Sequence, residues 1–350
     1  MDKQKVIISQ NLEESLKTAV AECEHDRLFI LVDVNTSQHC LPLISGMAVI
    51  QGAQVITIGA TDENKTLETL THVWTALQQG GATRHSLMVN LGGGMVTDLG
   101  GFAAATFKRG LNCINIPTTL LAMVDASVGG KTGINFGGLK NEIGVFSNAS
   151  SVILDTTFLK TLDEENMLSG YAEMLKHGLI SDEKHWAELI NGQDRLSDHL
   201  DGLSALLAKS VSVKQRIVTE DPTEQGLRKA LNLGHTVGHA FESLALQRKP
   251  ILHGYAVAYG LICELYLSTV KTGFPVDKMR QTVQFIRENY GQMAITCDDY
   301  PTLLGLMTHD KKNVAGEINF TLLRNIGELA LNQTATEQEI KDALDFYREG

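Results

Sequence analysis

The sequence predicts an α/β fold in which an N-terminal Rossmann-like domain with a parallel sheet precedes a mainly α-helical domain. Short β-branched runs alternate with amphipathic segments as far as residue 160, which is typical of βαβ units. Beyond that residue, helical periodicity dominates. A length of 350 residues also favours two domains over one. We therefore expect one domain at 1–160 and a second at 161–350.

Five apolar runs predict the strands of the first domain, at 6–8, 28–32, 55–58, 87–91 and 113–116. Helical periodicity predicts the helices of the second domain, at 203–218, 228–246, 254–271 and 277–290, and two late runs predict strands at 318–323 and 328–331. The apolar part of the third helix is interrupted by Glu264 and is too short for a membrane span, so we expect a buried helix there.

Charge and cysteine usage exclude several classes of function. A net charge of −11 and a pI of about 5.5 argue against nucleic-acid or membrane-surface binding by the whole protein. The five cysteines are scattered, as in proteins with reduced thiols, and the N-terminus lacks the apolar stretch of a secretory signal. We therefore expect a cytoplasmic protein that binds any anionic substrate through a local group of Lys and Arg.

Three glycines, Gly92, Gly93 and Gly94, follow the fourth predicted strand and open a predicted helix. Their backbone N–H groups can approach a diphosphate at the helix N-terminus. The alternative is a tight turn, because the spacing is not that of the G-x-G-x-x-G fingerprint. Polar side chains also follow the second and third strands, where a parallel sheet meets a dinucleotide or where a side chain caps a helix: Asp33, Asn35, Asp62 and Lys65.

The segment 117–135 is rich in hydroxyls and glycine, and its Lys131 is followed nine residues later by Lys140 and Asn141. Paired lysines near a glycine loop suit the binding of phosphate or carboxylate by charge-assisted hydrogen bonds. A solvated loop is the alternative.

Two imidazoles, His235 and His239, are four residues apart, so on a helix they lie on one face. With His253, and with Glu173 beside Lys176, they can supply the His/His/Glu set of a catalytic zinc site with an open coordination position. Two core histidines on an apolar helix are the alternative. In a helix over 228–246, Arg228 and Asn232 share the face of both histidines, which predicts a polar cavity there.

The order and spacing of these motifs resemble the dehydroquinate synthase family of sugar phosphate cyclases. The resemblance runs from Asp33 to about Lys312, and its blocks are 92–109, 117–141, 170–176 and 228–253. It implies an enzyme that uses bound NAD and a divalent metal, zinc or cobalt. It also implies the conversion of 3-deoxy-D-arabino-heptulosonate 7-phosphate (DAHP) to 3-dehydroquinate and phosphate in the shikimate pathway.

The resemblance also implies roles for individual residues, with an NAD-binding first domain and a metal- and substrate-binding second domain. The implied metal ligands are Glu173, His235 and His253, whereas His239 belongs to the substrate and proton-transfer network. The residues implied to surround the substrate are Asp125, Lys131, Asn141, Lys176, Lys214, Arg228, Asn232 and one of Lys311 and Lys312. The residues implied at or beside NAD are Asp33, Asn35, Asp62, Lys65, Gly92, Gly93, Gly94, Asp98, Thr118, Thr119, Lys131, Lys140, Asn141, Phe158, Thr161 and Leu162.

The resemblance implies a homodimer in which Arg109 reaches the phosphate site of the neighbouring subunit. We expect Arg109 near the far end of the helix that the glycine turn opens. The chain departs from the family pattern at Asp62 and Asn166, where Glu is usual, at Thr97, where Gly is usual, and at Tyr255, where Glu is frequent. Asp62 keeps a carboxylate, so ribose recognition is expected to survive.

Two other functions fit parts of the pattern. One is another sugar phosphate cyclase, of the 2-deoxy-scyllo-inosose or valiolone type, with the same fold and cofactors. The other is a metal-dependent NAD polyol dehydrogenase of similar architecture, which accumulates NADH with turnover. The many cations favour a substrate that bears a carboxylate, because they otherwise lack a partner.

Overall fold

The computed structural model describes residues 4–137, 139–192, 200–308 and 318–349. Lys311 and Lys312 lie outside these ranges. The contacts divide the chain into two compact units, Met1–Asp163 and Glu164–Gly350. Within the described ranges, no helix is both long enough and apolar enough to cross a membrane.

The first unit is built on a six-stranded parallel sheet, which confirms the predicted fold class. Its strands are β1 (Lys5–Ile8), β2 (Leu28–Asp33), β3 (Gln54–Ile58), β4 (Leu87–Gly92), β5 (Asn112–Pro117) and β8 (Ser151–Leu154), in the order β1-β8-β5-β4-β2-β3. A separate antiparallel hairpin consists of β6 (Lys131–Phe136) and β7 (Leu139–Phe146). The helices of this unit are α1 (Leu12–Ala21), α2 (Val34–His39), α3 (Leu67–Gln79) and α4 (Gly94–Thr106).

The strand order places a topological switch point between β2 and β4. From β2 the chain continues outward to β3, whereas from β4 it continues in the opposite direction to β5. In open α/β sheets, ligands bind at the carboxyl ends of the strands where the order reverses. Asp33 and the turn Gly92–Gly93–Gly94 lie at these two strand ends.

Two elements of the first unit differ from the sequence prediction. Strand β8 is fully buried between β1 and β5, although 151–154 was not among the predicted strands. The segment 117–135, for which a solvated loop was the alternative interpretation, contains a π-helical turn (Ala122–Ala126) and strand β6. A Cβ at Gly133 would lie 2.5 Å from the Ile143 carbonyl oxygen, so the glycines that weaken the strand signal are required by close cross-strand approach.

The second unit is mainly helical, as predicted. Its helices are α5 (Glu164–Ser181), α6 (Glu183–Ile190), α7 (Leu200–Glu220), α8 (His235–Leu246), α9 (His253–Thr272), α10 (Val276–Tyr290), α11 (Tyr300–Thr308) and α12 (Glu337–Glu349). An antiparallel hairpin joins β9 (Asn319–Asn325) to β10 (Glu328–Thr334). The helices predicted at 203–218, 254–271 and 277–290 correspond to α7, α9 and α10.

The prediction of one helix over 228–246 is wrong. A 3₁₀ turn covers Leu227–Asn232, and Gly234 then adopts a left-handed conformation with φ of +79° before α8 begins at His235. A left-handed residue ends helical continuity, and glycine adopts it without steric cost. Arg228 and Asn232 therefore do not share a helix face with the two histidines.

The expected place of Arg109 is also wrong. Helix α4 ends at Thr106, and Lys108 and Arg109 follow in a tight turn with φ of +48° and +70°. Left-handed residues cannot continue a right-handed helix. Arg109 thus lies beyond the helix.

Candidate active site

The glycine turn places residues without side chains at the start of α4, where neighbouring side chains leave little room for a Cβ atom. A Cβ on Gly92 would lie 2.5 Å from the Val96 side chain, and one on Gly93 would lie 3.2 Å from Thr119. Gly93 is the N-cap of α4, whose first N–H groups have no partner within the helix. Thr97, where the family usually has glycine, is buried, and its hydroxyl donates to the Gly94 carbonyl at 3.1 Å. The helix start therefore accommodates threonine, and no side-chain cap occupies its first N–H groups, which can bind an anion.

Five of the predicted cofactor residues form two adjoining ion-paired groups. Lys65 is buried, and its Nζ lies 2.5 Å from Asp98 Oδ2 and donates to the amide oxygen of Asn141. Lys140 Nζ lies 3.5 Å from Asp62 Oδ2. Asp62 and Lys65 are joined by a 3₁₀ turn, and Lys140 and Asn141 are neighbours on β7. We call these five residues the Lys65 cluster.

Other predicted cofactor residues have local structural roles at the carboxyl edge of the sheet. Asp33 Oδ1 accepts from the backbone N–H groups of Asn35 and Thr36, each at 2.8 Å, so this carboxylate caps α2. Thr119 Oγ1 accepts the Ala122 N–H at 3.1 Å, and the Thr118 N–H donates to the Gly92 carbonyl at 3.0 Å. The helix-cap interpretation therefore applies to Asp33.

The remaining first-unit residues lie on three further segments. Phe158 is fully buried in the 3₁₀ segment Thr156–Thr161, and the Thr161 hydroxyl donates to its carbonyl at 2.7 Å. Leu162 caps the end of this segment. Asp125 lies in the π-helical turn, and Lys131 is exposed at the start of β6.

The predicted metal ligands of the second unit come together from three helices. Glu173 lies on α5, and His235 and His253 are the first residues of α8 and α9. Glu173 Oε1 is 3.3 Å from His235 Nε2 and 3.5 Å from His253 Nε2. Ligand atoms about 2.0–2.1 Å from a tetrahedral zinc ion lie about 3.4 Å from each other. The carboxylate and the two imidazoles therefore fit one small divalent ion.

Close backbone packing explains how His253 meets Glu173. The Gly254 N–H donates to Ser169 Oγ at 3.1 Å, and a Cβ on Gly254 would lie 1.9 Å from the Ser169 carbonyl oxygen. Only glycine allows the start of α9 to approach α5 so closely. Ser169 is one helical turn before Glu173, so this contact holds His253 beside the carboxylate.

The Nδ1 atoms of both histidines have partners that leave Nε2 available. His235 Nδ1 lies 3.1 Å from the Leu233 carbonyl, and His253 Nδ1 lies 3.3 Å from Glu242 Oε2. Such second contacts fix the tautomer and the orientation of a metal-binding imidazole. The role of Glu242 was missed from the sequence. It was detectable, because Glu242 is seven residues after His235 and shares its helix face.

The surroundings of this cluster act in opposite directions on the pKa values of its two histidines. Burial alone would raise the pKa of Glu173, but Lys176 and His235 hold that pKa well below its usual range. Burial and the charge of Lys176 lower the pKa of His235 to about 3. Burial opposes protonation of His253, but hydrogen bonds to Glu173 and Glu242 raise its pKa to about 10. The carboxylates that stabilise a proton on His253 would stabilise a metal ion in the same way.

His239 lies beside the proposed ligands. Its ring centroid is 5.3 Å from that of His235 and 5.8 Å from that of His253. One ring nitrogen from each of the three histidines lies within 4.8 Å of a ring nitrogen of each of the other two. His239 can therefore contact a group bound at this point, as the proton-transfer role requires.

In the described part of the second unit, three cations are buried, which is costly in free energy without compensating charges. Lys176 pairs with Glu173, and Lys214 is buried on α7. The buried Arg228 donates from Nη1 to the Pro222 carbonyl at 2.6 Å. Asn232 Nδ2 lies 3.0 Å from Glu224 Oε1. These cations are suited to binding an anionic substrate.

Two departures from the family pattern lie on these helices. Asn166 is in the first turn of α5. Tyr255 is the third residue of α9, and its ring packs edge-on against Tyr290 with centroids 5.2 Å apart. An aromatic cluster thus occupies the position where the family frequently has a carboxylate.

Comparison with known proteins agrees with this arrangement. The model of the 3-dehydroquinate synthase N-terminal domain matches residues 55–169, and that of the C-terminal domain matches residues 170–313. The chain is 54% identical over 350 residues to a 3-dehydroquinate synthase of Parabacteroides distasonis, covering 100% of this chain and 99% of that protein. It is 40% identical to a 3-dehydroquinate synthase of Pyrococcus furiosus, over 83% of this chain and 84% of that protein.

The solved structure of 2-epi-5-epi-valiolone synthase from Streptomyces hygroscopicus, with NAD⁺ and Zn²⁺ bound, is also similar. It matches with a TM-score of 0.89 at 25% identity, over 100% of this chain and 98% of that chain. The sequence match to the family models and to full-length relatives extends across both units. The chain belongs to the 3-dehydroquinate synthase family.

Proposed function

We propose that the cluster of Glu173, His235 and His253 is the metal centre at which this chain performs the reaction of its family. The chain is a 3-dehydroquinate synthase by family membership, and it converts DAHP to 3-dehydroquinate and phosphate. The main support for the site assignment is that Glu173 Oε1 lies 3.3 Å from His235 Nε2 and 3.5 Å from His253 Nε2.

The cofactors of the family are NAD and a divalent metal, zinc or cobalt, and a solved relative contains NAD⁺ and Zn²⁺. When bound, they supply reversible hydride transfer and polarisation of a substrate oxygen. In the first unit, the glycine turn would bind the diphosphate of NAD through backbone N–H groups. The Lys65 cluster, with Lys131, would contact the rest of that cofactor.

In the second unit, the chain's own residues would mainly hold and orient the substrate. Lys176, Lys214 and Arg228 are buried cations that suit a carboxylate and a phosphate. With the phosphate held in the correct pose, it can accept the proton itself as it leaves. The protein then contributes position and electrostatic stabilisation, and His239 adds a group able to move a proton.

The reaction assignment is tested by incubating purified chain with DAHP, NAD and Zn²⁺. We expect phosphate and 3-dehydroquinate in equal amounts and no net NADH, because the hydride returns to the same carbon. Glucose 6-phosphate, which lacks a carboxylate, is the control and should not turn over. Net NADH would instead indicate a polyol dehydrogenase, and turnover of the control would indicate another sugar phosphate cyclase.

We further propose a homodimer in which Arg109 serves the neighbouring subunit. The hairpin β6–β7 supports a partner, because several apolar side chains of the hairpin are exposed: Phe136, Leu139, Ile143, Val145 and Phe146. A long apolar edge strand tends to pair unless it is covered. A two-fold axis pairs such an edge with its own copy, since the same surface then serves both subunits.

Complementation tests the role of Arg109 in trans. An Arg109→Ala chain and a His235→Ala chain are each expected to be inactive. After subunit exchange, a heterodimer has one site with both defects and one with neither, so activity should recover to about half per heterodimer. Demonstrated exchange without recovery would mean that Arg109 serves its own subunit.

We also propose a cytoplasmic location. All five cysteines are free and four of them are buried, which supports a reducing compartment. Fractionation of the native host is the corresponding measurement.

A further inference from the structure

Glu264 is a buried carboxylate that the roles above leave unused. It lies on α9, about three turns after His253, and its side chain is fully buried. It is also the only charged residue within 255–270. A carboxylate in an apolar helix is costly in free energy unless specific hydrogen bonds compensate it. Its neighbours show where these bonds are made.

The Glu264 carboxylate accepts three backbone hydrogen bonds at the start of α8. The Gly234 N–H donates to Oε2 at 2.6 Å, and the N–H groups of Thr236 and Val237 donate to Oε1 at 3.0 and 3.2 Å. The first N–H groups of a helix have no partner within it, and the helix dipole favours an anion there. Because the N-cap Gly234 has no side chain, Glu264 caps α8 from the neighbouring helix.

Close crossing of the two helices allows this contact. A Cβ on Gly260 would lie 2.0 Å from the Gly234 carbonyl oxygen, so the backbones touch at that point. Glu264 is one turn after Gly260 on the same face of α9. The crossing therefore brings its carboxylate onto the N-terminus of α8.

His235 is the first residue of α8, between two of the residues that Glu264 binds. Fixing Gly234 and Thr236 fixes the backbone on both sides of this imidazole. In return, Glu242 of α8 contacts Nδ1 of His253 at the start of α9. Each helix thus contributes a carboxylate that orients the proposed ligand of the other.

We propose that Glu264 is a positioning residue for the metal centre, which acts by fixing the backbone of His235 so that Nε2 faces Glu173. This inference rests on the proposed ligand set. Since Glu264 acts through His235, its loss should change metal affinity and coordination geometry, and not only the stability of the fold.

The test is Co²⁺ binding by Glu264→Gln, measured by chelator competition and by the visible absorption of the bound ion. Glutamine keeps the size of the side chain but replaces one acceptor oxygen with an NH₂ group that faces backbone N–H donors. We expect the Co²⁺ dissociation constant to rise about 10- to 100-fold, as for other residues that orient metal-binding histidines, and the absorption bands to shift.

Ser268→Ala is the matched control. Ser268 is buried one turn further along α9, and its hydroxyl donates to the backbone carbonyl of Glu264 at 2.7 Å and accepts the Leu323 N–H at 3.1 Å. Loss of this hydroxyl removes two buried hydrogen bonds but leaves the Glu264 carboxylate and its three contacts with α8 in place. Stability should fall, whereas the Co²⁺ affinity should stay within about twofold and the spectrum should be unchanged.

A Glu264→Gln protein with wild-type affinity and spectrum would overturn the proposal. His235→Ala, measured in parallel, separates this result from failure of the ligand assignment, because wild-type binding by that variant would show that the ligand set is wrong. If the glutamine variant does not fold, Glu264→Asp gives the same comparison with a carboxylate one methylene shorter. If Glu264→Asp binds Co²⁺ more weakly than Ser268→Ala does, the proposal is supported. If it binds Co²⁺ as tightly as wild type does, the proposal is overturned.

Discussion

The proposed metal centre and the Lys65 cluster are both polar, but they are constructed differently. Two of the three metal ligands, His235 and His253, begin helices and have partners on Nδ1, and a glycine contact holds the start of α9 against the helix that carries Glu173. The Lys65 cluster draws its residues from a turn, a hairpin and helix α4, and its cations and anions pair with one another. The first arrangement is preorganised for an ion, whereas in the second a ligand must compete with existing pairs. A substitution in the metal centre should therefore abolish metal binding, whereas a substitution in the Lys65 cluster should only weaken NAD binding.

The largest effect is expected at the metal ligands. Glu173→Ala, His235→Ala and His253→Ala should each lose the metal and at least about a thousandfold in activity, because each removes one of three protein ligands. Metal content by elemental analysis and phosphate release from DAHP are the measurements.

His185→Gln is the control for these variants. His185 is a buried histidine of the same unit whose Nε2 lies 2.9 Å from Ser210 Oγ. This variant should keep a full metal equivalent. If His253→Ala also retains a full equivalent, the ligand set is wrong and His239 is the candidate to replace it.

An intermediate effect is expected at the buried cations. Lys214→Ala and Arg228→Ala should keep metal and NAD but lose about two orders of magnitude in turnover, because these side chains orient the charged substrate. Lys229→Ala is the matched control, since Lys229 adjoins Arg228 but binds Asn332 at 2.8 Å. Its activity should stay within about twofold of wild type, in line with an exposed contact. Near-normal turnover of DAHP by the Arg228 variant would contradict the substrate role.

The sequence predicts the strands and helices that periodicity and local motifs encode. β-branched runs located five strands of the parallel sheet, and helical spacing located α7, α9 and α10. The positions that failed depend on tertiary contact. Gly234 is an ordinary glycine within a helical pattern, but it is left-handed in the fold, where its carbonyl packs against Gly260 of another helix. Arg109 likewise lies beyond α4, because Phe107 is extended and Lys108 is left-handed, and no spacing rule detects either conformation.

The same distinction applies to the site. Spacing places His235 and His239 on one face, and it could have added Glu242. The residue types alone suggested a His/His/Glu site, but Glu173, His235 and His253 lie on helices far apart in sequence, so only the family resemblance could select these three as the ligands. Glu264 was visible as one charge in an apolar helix, but its partners are backbone N–H groups of another helix. Side-chain patterns carry no information about such partners.

The smallest effect is expected within the Lys65 cluster. It tests whether the loss of NAD affinity depends on how deeply each ion pair is buried. The side chains of Lys65 and Asp98 are 4% and 19% exposed, whereas those of Lys140 and Asp62 are each 46% exposed. Lys65→Met removes the partner of a largely buried carboxylate, so the NAD dissociation constant should rise about tenfold. Lys140→Met breaks a half-exposed pair that water and salt already screen, so a rise of about twofold is expected. Titration of each variant with NAD by calorimetry gives both values. Because both substitutions replace lysine by methionine within one cluster, a larger effect at Lys140 than at Lys65 would show that cofactor contact, and not burial of the ion pair, determines the response.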